Sequence, residues 1–181
     1  MNTRNVLCGL VLSIGCFVIP STSNAQATSD NPSVTAQLND AKTIVAKITK
    51  DAAQMESYTR RSRLNWETHA EMLEKIKRDV NELQQNMRGL QSHRTVASPW
   101  QQDAIDRITG LANDLATNMN ATIDRLNKSK SQPTAPPYPE YLKANAGIAS
   151  DLADEIDATI DYAQNKTKLD SLGQQLDSSA K

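Results

Sequence analysis

His69 and His93 are the only imidazoles in the chain, and each must be weighed against the chemistry it could support. His69 follows Trp66 by three residues and precedes Leu73 by four, so all three fall on one face of a helix. A histidine buried inside a helical bundle can ligate haem or a metal, and a cofactor-carrying reading of this protein rests on His69. The competing reading is a packing histidine whose ring nitrogen meets water or a backbone carbonyl. A di-metal bundle needs Glu three residues before His on two helices. Here Trp66 stands before His69 and Leu90 before His93, so the packing reading is favoured. Met55, Met72, Met87 and Met119 could serve as axial partners for haem, but Met at seam spacing is ordinarily core filler. His93 lies beside Arg94 near a predicted helix end, where a cation suits the negative pole of the helix.

Two charged groups are candidates for surface recognition. Asp151, Asp154, Glu155, Asp157 and Asp161 crowd one segment, and Asp154, Asp157 and Asp161 share a face by spacing. That face suits a divalent cation or a basic partner, although a solvated helix face needs no partner at all. It lacks the central Gly of a calcium loop. Arg60, Arg61 and Arg63 suit anionic headgroups or cell-wall polymers, or else cap the end of the helix before them. Asn120, Asn127 and Asn165 each open an Asn-x-Ser/Thr tripeptide, which matters only in a glycosylating pathway. No Gly-rich phosphate loop, Gly-x-Ser-x-Gly or His-Glu-x-x-His occurs. Two histidines and no usable thiol do not assemble a nucleophile, a base and an orienting group. The expectation is a non-enzyme with no cofactor and no bound metal.

The thiols are excluded by their position. Both cysteines, Cys8 and Cys16, lie in a segment that reads as an export signal. Arg4 supplies its charge, Val6 to Ile19 its apolar run, and Pro20 with small polar residues its cleavage region. The run is shorter than the roughly 20 residues a membrane span requires. Small residues place the cut after Ala25 or after Ala27, leaving a single domain of about 155 residues. A lipid anchor on Cys16 fits poorly, because Ser13 precedes it by three and Phe17-Val18-Ile19 follow. After cleavage no disulfide, thiolate ligand or covalent haem is available, in a periplasmic or extracellular location that would permit disulfides. The chain carries a net charge of −1, with +3 over residues 58–94 and −4 over 138–181. Neither is the strong basic stripe of a nucleic-acid binder.

These residues must be positioned by helices, since no alternating Val/Ile/Thr run bounded by turns is found. Val34, Leu38, Ala41, Val45, Ile48, Ala52 and Met55 recur at fours and threes, behind Asn31 as cap and Pro32 at the first helical position. Trp66, His69, Leu73, Ile76, Val80, Leu83, Met87 and Leu90 form a second seam. Ser98-Pro99-Trp100-Gln101 is a capping box that opens a third, through Ile105, Ile108, Ala112, Leu115, Met119, Thr122 and Leu126. A Pro-rich linker over 129–139 leads to a fourth helix, expected to carry one stripe through Tyr141, Ile148, Leu152, Ile156, Ile160 and Ala163, continuing to Leu169, Leu172 and Leu176. Each helix has one apolar stripe, so none is stable alone. The predicted fold is all-α: an elongated antiparallel, up-down-up-down four-helix bundle. The alternative is a pair of helical hairpins that complete their core in a homodimer.

Two stretches, Trp66-Glu67-Thr68-His69-Ala70 and Ser98-Pro99-Trp100-Gln101-Gln102-Asp103-Ala104-Ile105-Asp106, resemble uncharacterised bacterial secreted helical proteins, a group with no assigned activity. The resemblance implies an export signal and a helical body. The expected function is therefore non-enzymatic: a periplasmic or secreted bundle acting through its surface on an unknown envelope or extracellular protein. The alternative is a haem or metal carrier using His69.

Overall fold

Asn31 and Pro32 set the first helix in motion. The Asn31 side chain accepts a hydrogen bond from the Ser33 backbone at 2.9 Å, and Pro32 occupies the first position, where its missing N–H goes unmissed. The computed structural model describes residues 29–59, 65–130 and 135–179, and every regular element among them is helical. They are α1 (Pro32–Tyr58), α2 (Trp66–His93), α3 (Pro99–Lys128) and α4 (Tyr138–Ser179), with one 3-10 turn (Arg94–Val96) between α2 and α3. Asn65 caps α2 by accepting from the Thr68 amide at 3.0 Å. Gln101 makes the return arm of the α3 capping box, accepting from the Ser98 amide at 3.2 Å. The segment expected to be an export signal, and Arg60, Arg61 and Arg63, lie outside the described residues.

Helix α1 packs on α2 and α4, and α3 packs on the same two, so the four helices close a ring around one core. Side-chain bonds fix the register on each side. Lys42 meets Asp157 and Thr49 donates to the Ala149 carbonyl across α1 and α4. Asn86 donates to the Gln37 carbonyl and Lys75 meets Asp51 across α1 and α2. Gln84 donates to the Ala112 carbonyl and Gln91 to Thr109 across α2 and α3. Arg107 donates to Glu155 and Asn118 to the Tyr141 carbonyl across α3 and α4. On every side the partner's number falls as the first helix's number rises.

The first three seams are the core. All seven seam residues of α1 are buried, as are those of α3, and only Trp66 of the α2 seam keeps partial exposure. Full burial of a Leu, Ile or Met side chain stabilises by about 1.5–3 kcal/mol, and such side chains dominate this interior. Close approach of α1 and α2 also uses Gly89. A Cβ there would lie 3.2 Å from the Gln37 amide group, which fills the space instead.

The fourth helix departs from its sequence reading. Its core face is Tyr138, Leu142, Asn145, Ala149, Leu152, Ile156, Thr159 and Ile160, while Tyr141 and Ile148 are only partly buried. Leu169, Leu172 and Leu176 do not continue that face. At 42 residues α4 is also much longer than α1, α2 and α3, with 27, 28 and 30. The difference of at least 12 residues is about 18 Å of helix.

Candidate functional site

His69 and Tyr138 meet where the first turns of α2 and α4 adjoin. Both side chains are buried, with 0% and 1% exposure. His69 Nδ1 lies 3.0 Å from the Tyr138 hydroxyl, and the rings meet edge to face with centroids 5.4 Å apart. Burial disfavours the imidazolium and pushes the His69 pKa down. The same burial pushes the Tyr138 phenol up. Nε2 of His69 is buried with no hydrogen-bond partner among the described residues, and so is Nε1 of neighbouring Trp66. Trp66 also lines a cleft of about 210 Å³ with Ala70, Leu73, Ile123 and Leu126, and the Lys130 ammonium sits 4.4 Å from its ring centroid. Ligand pockets ordinarily begin near 300 Å³. Among the described residues no group of three or more His, Cys, Asp or Glu side chains is placed to hold a metal ion. Met55, Met87 and Met119 are core residues.

A different polar cluster binds the first turns of α1 and α3. The Asp30 carboxylate accepts from Ser98 Oγ at 2.7 Å and from Trp100 Nε1 at 2.6 Å, and Lys166 of α4 lies 3.3 Å away. Burial alone would raise the Asp30 pKa. The bonds from Ser98, Trp100 and Lys166 outweigh it and hold the carboxyl below its usual range. Gln101, fully buried, accepts from the Asn31 amide at 2.8 Å and donates to the Asn31 carbonyl at 3.0 Å. One side chain thereby ties the start of α1 to the start of α3. A third network lies within the core: Asn118 donates to Asn145, Asn145 to Thr122, and Thr122 to the Asn118 carbonyl. Each is a positioning device, satisfied within the protein.

The acidic residues of α4 differ in their partners. Asp157 pairs with Lys42 at 2.8 Å, and Glu155 pairs with Arg107, which also holds Asp103. Asp154 and Asp161 are exposed beside them. His93 is the last residue of α2, and Arg94 grips Asp106 of α3 through two bonds of 2.7 and 2.6 Å.

The most exposed apolar surface is one that spacing assigns to the core. Leu169, Leu172 and Leu176 are 69%, 54% and 71% exposed, and every residue from 167 to 179 is exposed. Those 13 residues extend about 20 Å as helix. At about 100° per residue, the three leucines point about 165° away from the mean direction of the core face from Tyr138 to Ile160. Tyr162, 52% exposed, falls on the leucines' side, with its ring edge-on to Trp100 at 5.1 Å. The fourth helix therefore has two apolar faces in succession, on opposite sides. The outward one begins at Tyr162, just past Ile160, the last residue of the inward one. Spacing alone reads them as one stripe because each has helical periodicity. The angular offset between Ile160 and Leu169 is the signal that separates them.

No helix among the described residues is long and apolar enough to cross a membrane. No protein family, no curated protein and no solved structure matches this chain.

Proposed function

We propose that this is an exported, non-enzymatic up-down-up-down helical bundle that works by docking another protein on the outer face of α4. The docking reading is carried by one observation: Leu169, Leu172 and Leu176 form an exposed apolar stripe facing away from the bundle, with half-exposed Tyr162, which packs on Trp100 of α3, at its inner end. The projecting part of α4 continues a helix already nucleated in the bundle, so covering the stripe would stabilise it by burying apolar area. Helix-against-helix recognition through residues at i, i+7, i+10 and i+14 is the mode such a surface fits. The antiparallel order of the bundle is supported by the falling partner numbers on all four sides. The export reading is supported by the residue order of the segment 1–27 and puts the partner in the periplasm or outside the cell.

The test is cross-linking in the native envelope with wild-type protein and with Leu169→Asp/Leu172→Asp. The wild type is expected to form a specific adduct that the double variant loses. Equal adducts from both would defeat the reading. An intact mass beginning after Ala25 or Ala27 would support export, and a retained segment 1–25 would count against it.

A second reading has its own observation. Nε2 of His69 has no protein partner among the described residues while Nδ1 is fixed by Tyr138, which is how an imidazole ligand is oriented from behind. This haem or metal carrier reading expects a Soret band or stoichiometric metal in protein from its own host. A colourless, metal-free preparation unchanged by His69→Ala would defeat it.

A further inference from the structure

We infer that the partner on the outer face of α4 is a second copy of this chain, paired parallel and in register along residues 162–179. This rests on the docking reading above and names its occupant. Tyr162, Asn165, Leu169, Leu172 and Leu176 succeed one another at spacings of three and four, the seam of a two-stranded coil. In a parallel pair each residue of the seam faces its own copy. Asn165 then meets Asn165 of the second copy, where two amides can bond each other inside an otherwise apolar seam. Any shift of register would set this amide against a leucine and leave it unpaired, which disfavours the shift.

The flanking charges select the same arrangement. In a parallel coil the position just before a seam residue faces the position five further along on the partner. Asp161 would thereby face Lys166 of the second copy, whose ammonium also meets Asp30 and Asp170 of its own chain, and the symmetry repeats the pair. Lys168 would face Gly173, over which its aliphatic stem can lie. Farther back along the same outer face stand Asp151 and Asp154, both exposed. In register, Asp151 falls on the seam and would confront its own copy, so the two helices must part before it. Charge thus defines where the seam begins, and the apolar side chains define how far it runs. The stripe lies opposite the core face of α4, so the two bundles sit on opposite sides of the paired helices and do not collide.

The experiment is sedimentation equilibrium on the full chain, expressed with its own export segment. The expected result is a reversible monomer–dimer equilibrium that Leu169→Asp/Leu172→Asp shifts to monomer, with unchanged helicity of the bundle. Asp161→Lys should weaken the dimer several-fold. Orientation is read from Leu172→Cys in a chain also carrying Cys8→Ser and Cys16→Ser. A parallel pair links position 172 to its copy on mild oxidation. A wild type that stays monomeric into the hundred-micromolar range overturns the inference, as does a dimer indifferent to the two aspartates. A dimer that leucine loss dissolves, but in which the Leu172→Cys chains do not link to each other, overturns the parallel arrangement. A monomer that still loses its envelope adduct with the double variant would overturn the homodimer alone and leave the docking reading standing.

Discussion

The two polar clusters that tie helix starts together obey different rules. Around Asp30 and Gln101, donors and acceptors are matched: a carboxylate receives two short bonds and an ammonium, and a buried amide uses both its oxygen and its nitrogen. Around His69 and Tyr138 there is one bond, two rings and a buried nitrogen with no partner among the described residues. Both clusters join residues distant in sequence and both span two helix starts. The first holds its helices by hydrogen bonding and the second by packing aromatic area. A matched buried network is expensive to interrupt, whereas an unmatched one improves when its polar atoms are removed together.

The largest expected effect breaks the matched cluster. Gln101→Leu keeps the volume but strands the Asn31 and Ser98 amides, while the Asn31 carbonyl still accepts from the Val34 and Thr35 amides. Chemical denaturation should show a loss of about 3 kcal/mol, near one to three per stranded group. The second effect is smaller and reversible by a partner change. Tyr138→Phe leaves His69 with neither nitrogen bonded and should cost about 1–2 kcal/mol. Adding His69→Phe to it should recover most of that loss. A double variant as unstable as the sum of its parts would show that the ring pair is matched after all.

The comparison is sharpened by pH. The folded pKa of His69 is lowered, so the unfolded chain binds the proton first as pH falls. Stability should therefore be full above about pH 6.5 and decline below it, down through the folded value. That decline should vanish in His69→Phe. Tyr138 has a raised folded pKa, so the same end should weaken again as pH climbs past about 10. Asp30 behaves in the opposite region. Its folded pKa is lowered, so its contribution is complete above the ordinary carboxyl range and is lost as pH falls through the folded value. Asp30→Asn should flatten only that acid limb. The smallest effect belongs to the outward stripe: Leu169→Asp/Leu172→Asp should shift the melting of the bundle by less than about 0.5 kcal/mol, measured on dilute monomer.

Much of the fold is legible from periodicity. The seams of α1, α2 and α3 can be read residue by residue, because four-and-three spacing is a local property of the chain. So can the caps at Asn31 and Ser98, which need only adjacent residues. Tyr138 as the partner of His69 is not legible, since the two are 69 residues apart and nothing local to either names the other. Asp30 escapes sequence reasoning for the same reason: its value arises from Ser98, Trp100 and Lys166, brought together by the fold. The second face of α4 is misassigned on a quantitative point. Spacing identifies a stripe, but only accumulated rotation says which way it faces.

Each end of the bundle also carries its own fluorophore. The chain has two tryptophans. Trp66 adjoins the His69 end with the Lys130 ammonium over its ring, and Trp100 donates to Asp30 at the other. The two indoles thus sit in different electrostatic surroundings. Emission from single-tryptophan variants would therefore report the opening of each end separately, turning the spatial contrast between the clusters into an order of events in time.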